Sequence, residues 1–520
     1  MRLRAAMAGI AAVVLGAGVG ELTAAAFAPS SSPVTVVGGA LIDVAPGWAK
    51  ETAIRLFGAA DKMALVVGIV IVLLAIAAGI GILESWTPSI GAVLCGALGV
   101  AGIVAAVTRA DAGGLAWAPS AVAGGLAAFT IGPLVRRAGG AMAAHGARTA
   151  ATRPTDDRPV RDRPAEPSRR RFFAWTAATA LVGVAAAAGG ALLQTGTRAA
   201  GAARAALRLP TPAAPAAPIP AAAALHIPGL APLITPNGQF YRVDTALLVP
   251  QVDPGSWSLR IHGMVDHPLT LTWTELLALP LEESYTTLAC VSNEVGGSLI
   301  GTAKWLGYPI RHLLAQARPR AGADMVLSRS VDGFTASTPL EVLTDDRHAI
   351  LAVGMNDAPL PMVHGFPVRM VVPGLYGYVS ATKWVVDLEV TRFDRATAYW
   401  TTQGWAPRGP IKLESRIDVP RTGTVHAGES VIAGVAWQQH TGVAKVEVSV
   451  DGGPWVAAQL APAISADTWV QWHLPWYADH GDHVIRCRAT SASGEVQTSR
   501  QASPVPDGAS GWPETTVHVA

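Results

Sequence analysis

Five runs in the first 200 residues, at about 5–27, 63–83, 90–108, 115–135 and 172–193, carry almost no charge, and each is long enough to cross a bilayer as a helix. A half-chain built this way has few folds open to it other than a membrane bundle. The first run contains Glu21 and also reads as a signal peptide, but four further runs follow it, so a retained helix is expected. Trp48, Trp86, Trp117 and Trp175 stand at or near the ends of runs, where amphipathic rings prefer to sit. Glu21 is an intramembrane carboxyl, read either as functional or as reaching headgroup water, and Cys95 as a small packing residue. The first of the 13 histidines is His145, outside every run, so no imidazole pair can hold a haem within these spans. An anchor, in contact with membrane lipid, is the expected role of this half.

Lys and Arg set the orientation. With a cytoplasmic N-terminus, segments 1–4, 84–89 and 136–171 lie inside and carry 12 basic residues, ten of them in 136–171; the outside loops carry only Lys50, Arg55, Lys62 and Arg109. An odd number of spans then places everything after residue 194 on the extracytoplasmic face of the cell membrane. Ser168-Arg169-Arg170-Arg171-Phe172-Phe173 runs straight into the fifth span and reads either as an internal twin-arginine export signal, the route for folded cargo, or as a plain cytoplasmic anchor.

Residues 1–200 carry 17 bases and 10 acids, whereas 201–520 carry 22 bases and 27 acids. No dense basic face is available to neutralise phosphates, which excludes nucleic acid as a partner. Three cysteines in 520 residues exclude a disulfide framework.

Residues 196–235 are rich in Ala and Pro and read as a semi-stiff spacer. Beyond them Trp257 to Val265 alternates at period two, as a half-buried strand does. Thr272 and Glu275 form a capping box opening a helix through Leu279. Strands are expected at Tyr285–Cys290, 325–330, 348–354, 366–373 and 383–392, and an amphipathic helix from Pro309 to Ala317. Strands mixed with short helices give an α+β domain. After about 415 only strands remain: Val446, Val448 and Val450 alternate with polar residues, Asp451-Gly452-Gly453 is a hairpin turn, and Ile485, Cys487 and Ala489 share a face. This pattern predicts a β-sandwich of immunoglobulin type with Cys487 in its core.

Two segments of the middle domain carry chemistry. Leu288-Ala289-Cys290-Val291-Ser292-Asn293-Glu294-Val295-Gly296-Gly297 is a strand running into a glycine-bearing loop with a thiol at the junction. That thiol is either an exposed ligand or nucleophile, or a buried structural cysteine. His364-Gly365-Phe366-Pro367-Val368-Arg369, then Val372-Pro373-Gly374-Leu375-Tyr376-Gly377 and Ala381-Thr382-Lys383-Trp384, punctuates glycine turns with cations, which suits a phosphate-bearing cofactor as well as solvated strand edges.

Taken together and in this order, the segments resemble the sulfite oxidase family of molybdenum enzymes, from Phe240-Tyr241 to the end of the chain. The resemblance implies that Cys290 is the catalytic thiolate on molybdenum, and that Phe240, Tyr241, His364, Arg369, Thr382 and Lys383 hold the molybdopterin and its phosphate. It also implies a C-terminal sandwich of the kind the family uses for dimerisation, and hence a homodimer. The expected organisation is a transmembrane region at 1–195, the linker at 196–235, a molybdopterin-binding oxidoreductase domain at 236–412 and the immunoglobulin-like domain at 413–520.

The chain also departs from the family pattern. Glu294 lies where sulfite-oxidising members have an arginine soon after the cysteine. Arg242 stands one position before the family's arginine, whose place falls on Val243. Gln438-Gln439-His440-Thr441-Gly442 lacks a later arginine, and the family's tyrosine falls near Trp405, with Tyr399 close by. Sulfite, a dianion, needs cations around it. The expectation is therefore oxygen-atom transfer to or from a small or protein-borne sulfur or oxyanion centre, either sulfite oxidation or reduction of a sulfoxide such as oxidised methionine. No Cys-x-x-Cys-His haem site occurs, so electrons pass to or from a separate cytochrome or quinol-linked partner. The rival outside the enzyme class is a membrane-tethered scaffold without cofactor.

Overall fold

The computed structural model describes residues 2–28, 31–44, 52, 61–109, 112–149, 168–193, 195–246, 248–421 and 424–520. Trp48, Lys50, Arg55 and all of 150–167 lie outside the described residues. The chain divides into two compact units, Met1–Ala199 with Ala246–Leu248, and Ala200–Thr245 with Val249–Ala520.

The first unit is helical: α1 (Arg2–Phe27), α2 (Pro33–Val44), α3 (Asp61–Trp86), α4 (Ile90–Val107), α5 (Ala118–Thr149) and α6 (Ser168–Leu193), with α7 (Thr195–Ala206) continuing the chain. Among the described residues, α1, α3, α4, α5 and α6 each contain a stretch long and apolar enough to cross a membrane. Small residues let α1 pack against three partners at once. Gly9 meets Gly81 of α3, Gly16 meets Ala123 of α5 and Gly18 meets Gly183 of α6, each so close that a Cβ would strike backbone.

The acidic side chains of these spans cap helices. Glu21 Oε1 accepts from the Ser32 hydroxyl at 2.8 Å and from the Val34 N–H at 3.2 Å, at the start of α2. Glu84 does the same for α4, accepting from Ser89 N–H at 3.1 Å and Gly91 N–H at 2.8 Å. Free N–H groups at a helix start need acceptors, which explains both carboxyls without further chemistry. The helix α2 itself was not foreseen; at 12 residues it is too short to span. Its signal is Ser32-Pro33, in which Ser32 Oγ accepts the Thr35 N–H at 3.3 Å and proline takes the first helical position.

In the second unit, residues 258–391 form ten strands: β1 (Ser258–Gly263), β2 (Leu269–Thr272), β3 (Glu282–Ala289), β4 (Ile300–Pro309), β5 (Met325–Ser330), β6 (Thr335–Pro339), β7 (Ile350–Met355), β8 (Ala358–Pro359), β9 (Arg369–Val371) and β10 (Val385–Thr391). They form one sheet ordered β2-β1-β10-β5-β6, in which only β1 and β10 run parallel, and another ordered β3-β4-β7-β8 with β9 beside β7. The capping box forms as expected, Thr272 and Glu275 opening the helix Trp273–Ala278, and Ile310–Ala317 buries Leu313, Leu314 and Ala317. Only three residues of the expected strand 366–373 are extended enough to pair, because Gly365 and the Pro373-Gly374 turn bound it.

The C-terminal region contains β11 (Glu414–Val419), β12 (Thr424–Val425), β13 (Gly428–Trp437), β14 (Val443–Val450), β15 (Val456–Ala457), β16 (Gln459–Leu460), β17 (Val470–Ala478), β18 (Gly481–Ser491) and β19 (Glu514–Val519). Two sheets, β11-β13-β17-β16 and β12-β19-β18-β14-β15, share a core that holds Ile432, Trp472, Val446, Ile485 and Cys487. The Cys487 thiol donates to Ser415 Oγ at 3.2 Å inside that core. The turn after β14 has Asp451 at φ 52° and Gly452 at φ 71°, the left-handed pair that matches strand twist in a hairpin.

The Ala/Pro stretch, expected as a semi-stiff spacer, packs along the second unit. Ala223 and Leu233 are buried. Ala213 N–H donates to Leu281 O at 2.7 Å, and Glu283 N–H to Ala214 O at 2.8 Å. Farther on, Leu225 N–H donates to Gln471 Oε1 at 2.7 Å and Trp469 Nε1 to Leu233 O at 2.8 Å. An extended, proline-rich strand makes no internal hydrogen bonds, so its peptide groups are free to pair with neighbouring edges.

Candidate active site

Cys290 follows β3, whose residues Thr286–Ala289 are all buried because both faces of the strand are covered. The loop after it is self-stapled. Cys290 N–H donates to Leu299 O at 2.9 Å, Asn293 N–H to Cys290 O at 3.1 Å, and Leu299 N–H to Asn293 Oδ1 at 2.8 Å. Burial pushes the thiol pKa up, and hydrogen bonds from the Ser292 backbone and hydroxyl oppose that shift. Of the two readings of this cysteine the structure gives the buried one, yet its surroundings are not aliphatic. The Tyr241 hydroxyl lies within electrostatic reach of both Cys290 and Arg369, and its own pKa is raised, first by burial and then by the thiol. Gly377 sits over this point: a Cβ there would be 3.7 Å from Ala289 O and 3.8 Å from the Tyr241 hydroxyl.

Aromatic rings hold the next layer. Phe240 stacks on Tyr241 at 5.4 Å and meets the edges of Trp305 at 5.8 Å and His364 at 5.6 Å. Trp305 also lies 5.0 Å under the Arg369 guanidinium. His364 ends a short 3-10 turn and donates Nε2–H to Asn237 O at 3.0 Å. Burial, then Arg369, lowers its pKa to about 4, so the ring is neutral at neutral pH. Gly365 has φ 109°, and a Cβ there would come within 3.0 Å of Arg369 Cβ and 3.1 Å of Lys383 Cβ; the position needs glycine on both counts.

Arg369 and Lys383 are paired across a β-bridge. Arg369 donates to His364 O and Met370 O, each at 3.3 Å, and burial brings its pKa down to about 10. Lys383 Nζ lies 2.5 Å from Asp244 Oδ2 and 4.8 Å from the Trp384 ring. Burial, then the guanidiniums of Arg369 and Arg242, push the Lys383 pKa down, and the Asp332 carboxylate pulls the other way. Three neighbouring bases, His364, Arg369 and Lys383, are thus all biased toward losing their charge. Burial is the first cause in all three, and buried bases clustered in this way gain from a phosphate-bearing anion. The cationic donor set therefore fits the anionic end of a molybdopterin, and a thiol has the chemistry of a soft metal donor.

Of the seven residues singled out in the sequence, Cys290, Phe240, Tyr241, His364, Arg369 and Lys383 come together. Thr382 differs: its buried hydroxyl pairs with Ser328 Oγ of β5 at 2.7 Å. Arg242 is bound to Asp244 at 2.9 Å. Trp405 packs against Tyr378 at 5.9 Å and Trp400 at 6.3 Å. Sequence reasoning missed Asn237, Asp244 and Trp305; the first two lie in a Pro-Asn-Gly turn and a short polar stretch whose partners are more than 100 residues away.

Residues 246–400 match the family described as the oxidoreductase molybdopterin binding domain. Sulfite oxidase of Gallus gallus is 30% identical over 316 residues, 51% of this chain and 68% of that protein. Mitochondrial sulfite oxidase of Rattus norvegicus is 31% identical over 314 residues, and the match spans only 57% of its length. An uncharacterized oxidoreductase of Bacillus subtilis, YuiH, is 31% identical over 157 residues, 30% of this chain and 76% of that one. The crystal structure of the sulfane dehydrogenase SoxCD from Paracoccus pantotrophus covers 55% of this chain and 84% of its own, at 23% identity and a TM-score of 0.49. On these matches the chain belongs to the sulfite oxidase family of oxidoreductases, whose cofactor is molybdenum–molybdopterin.

Proposed function

We propose that this chain is a multi-pass, membrane-anchored oxidoreductase with its catalytic half on the extracytoplasmic side, in which the Cys290 thiolate ligates molybdenum. When bound, the cofactor supplies two-electron oxygen-atom transfer. The chain's own residues bind, orient and shield. Cys290 gives up its proton on ligation, helped by the Ser292 hydrogen bonds that favour the thiolate. Arg369 and Lys383 take the anionic end of the pterin, and neutral His364 offers its remaining ring nitrogen. Phe240 and Tyr241 wall the site from water, and Thr382 acts indirectly, locking the segment that presents Lys383 onto Ser328.

Twelve bases against four support the sidedness, and the arginines opening α6 support twin-arginine export of a cofactor-loaded fold. The two-sheet C-terminal region is read as an immunoglobulin-like dimerisation domain. The substrate class is a sulfur oxyanion, as the names of the relatives suggest, with electrons exchanged through a separate cytochrome or quinol-linked partner. One observation favours sulfoxide reduction as the second reading: Arg242 and Arg416 are each paired with an aspartate, and Glu294 occupies the loop after Cys290, leaving less positive charge for a dianion.

The buried Tyr241, within electrostatic reach of both the Cys290 thiol and the Arg369 guanidinium, carries the reading. Its test is molybdenum content together with a screen of sulfite and methionine sulfoxide using artificial electron acceptors and donors. Wild-type protein should hold about one molybdenum per chain and turn over one of the two. Cys290→Ser should keep the fold and most of the pterin but lose turnover. A metal-free wild type, or an active Cys290→Ser, overturns it.

A further inference from the structure

The segment carrying Cys290 is gripped from the C-terminal sandwich on both sides of the thiol. Three residues before it, Thr287 donates its N–H to Asp467 O at 3.0 Å, accepts on its carbonyl from Gln439 Nε2 at 3.0 Å and accepts on its hydroxyl from Trp469 N–H at 2.8 Å. Seven residues after it, Gly297 O accepts from Arg416 Nη1 at 3.0 Å. Midway, the Asn293 amide lies beside the Glu414 carboxyl without reaching hydrogen-bond geometry.

Arg416 is built for aim. It and Asp418 are 4% and 5% exposed, and the pair is bidentate, Nε to Oδ1 at 2.6 Å and Nη2 to Oδ2 at 3.2 Å. Trp469 lies 5.8 Å from the guanidinium carbon. Two donors of a rigid planar fork are thereby fixed, which fixes the direction of the third, and that third donor meets the Gly297 carbonyl. A buried ion pair is a weak source of net stability, whereas its geometry is specific. The loop it reaches cannot slide far, since Cys290 N–H and Asn293 Oδ1 close it on Leu299. Holding Gly297 and Thr287 therefore holds the direction of the sulfur.

We propose that Arg416, oriented by Asp418, is a positioning residue for Cys290, so that the sandwich sets the geometry of the thiolate as well as completing the fold. This rests on the reading of Cys290 as the metal ligand. The test uses full-length, cofactor-loaded protein in detergent and the paired variant Arg416→Gln with Asp418→Asn, which strands no buried charge. Three quantities are read: kcat against KM, the Mo(V) electron paramagnetic resonance line shape, and amide exchange across 290–299. The expected result is kcat down at least tenfold with KM within twofold, a broadened Mo(V) signal, and exchange at 291–299 at least tenfold faster while β13 and β18 are unchanged. A lowered melting temperature with line shape and loop exchange as in wild type overturns it. If the paired variant does not accumulate, Gln439→Met removes one neutral donor to Thr287, and it is judged by the same line shape and by exchange at 286–299. Cys290→Ser is the control that separates the two levels. If its Mo(V) signal equals wild type, the ligand reading falls and this proposal with it. If it differs while the Arg416 variant does not, the positioning role alone falls.

Discussion

The Lys383 ammonium and the Asp244 carboxylate, 139 residues apart in the chain, meet at 2.5 Å inside the cationic arm of the site. Asp244 is the counter-charge nearest this buried lysine and is shared with Arg242. Asp244→Asn should therefore cost about 3–5 kcal/mol in cofactor-free protein, the range for stripping one partner from a buried pair. Loaded protein should lose less, because the anion takes over part of the carboxylate's task. Melting temperatures of the two forms, with and without the substitution, check this.

Gly365 is held at φ 109° with Arg369 and Lys383 close on its open side. Gly365→Ala should lower stability by roughly 1–3 kcal/mol through the strained backbone alone. It should also reduce cofactor retention by displacing both cations. Molybdenum content after gel filtration reports the second effect.

Glu414 is buried, which raises its pKa to about 8; the neighbouring Asn293 amide, the Tyr376 hydroxyl and the Lys412 charge only partly offset this. A carboxyl raised in the folded state binds a proton that the unfolded chain has already lost. Its contribution to stability is complete below about pH 4.5 and declines as pH rises to about 8. Glu414→Gln should flatten the fall of melting temperature between those limits. An unchanged slope would show that another group sets it.

His364 shifts the other way, to about 4. Its neutral ring favours the fold fully above about pH 6.5, and that contribution is lost as pH falls toward 4. In cofactor-free protein, His364→Gln should reduce the acid-side loss of stability, and loading the anion should raise the His364 pKa, seen as a shift in its ring-proton titration by NMR.

Replacing Arg169 and Arg170 with Lys should strand the soluble half on the cytoplasmic side if export follows the twin-arginine route. Protease digestion of intact spheroplasts reads the outcome directly.

Much of the site was legible because its chemistry is local. The thiol at a strand end and the cations around Gly365 and Lys383 stand in short segments whose residue types state their use. Thr382 follows parity: neighbours in extended chain face opposite ways, so a Lys383 turned into the site sends Thr382 toward Ser328. Asp244, Trp305 and Arg416 were invisible because their roles come from partners brought in by the fold, such as the Gly297 carbonyl, 119 residues from Arg416. The spans were legible by length and composition, whereas α2 hid in a single Ser-Pro step.

The path of residues 207–235 has a practical corollary. Because Leu233 receives the Trp469 indole N–H and Ala231 the Gln471 amide, this harness closes over both parts of the soluble half. Trimming the gene at residue 236 would leave those donors dry and open an apolar seam, while trimming near 200 keeps it sealed. A water-soluble version of the enzyme should therefore begin ahead of the prolines, and the harness counts as part of the catalytic body.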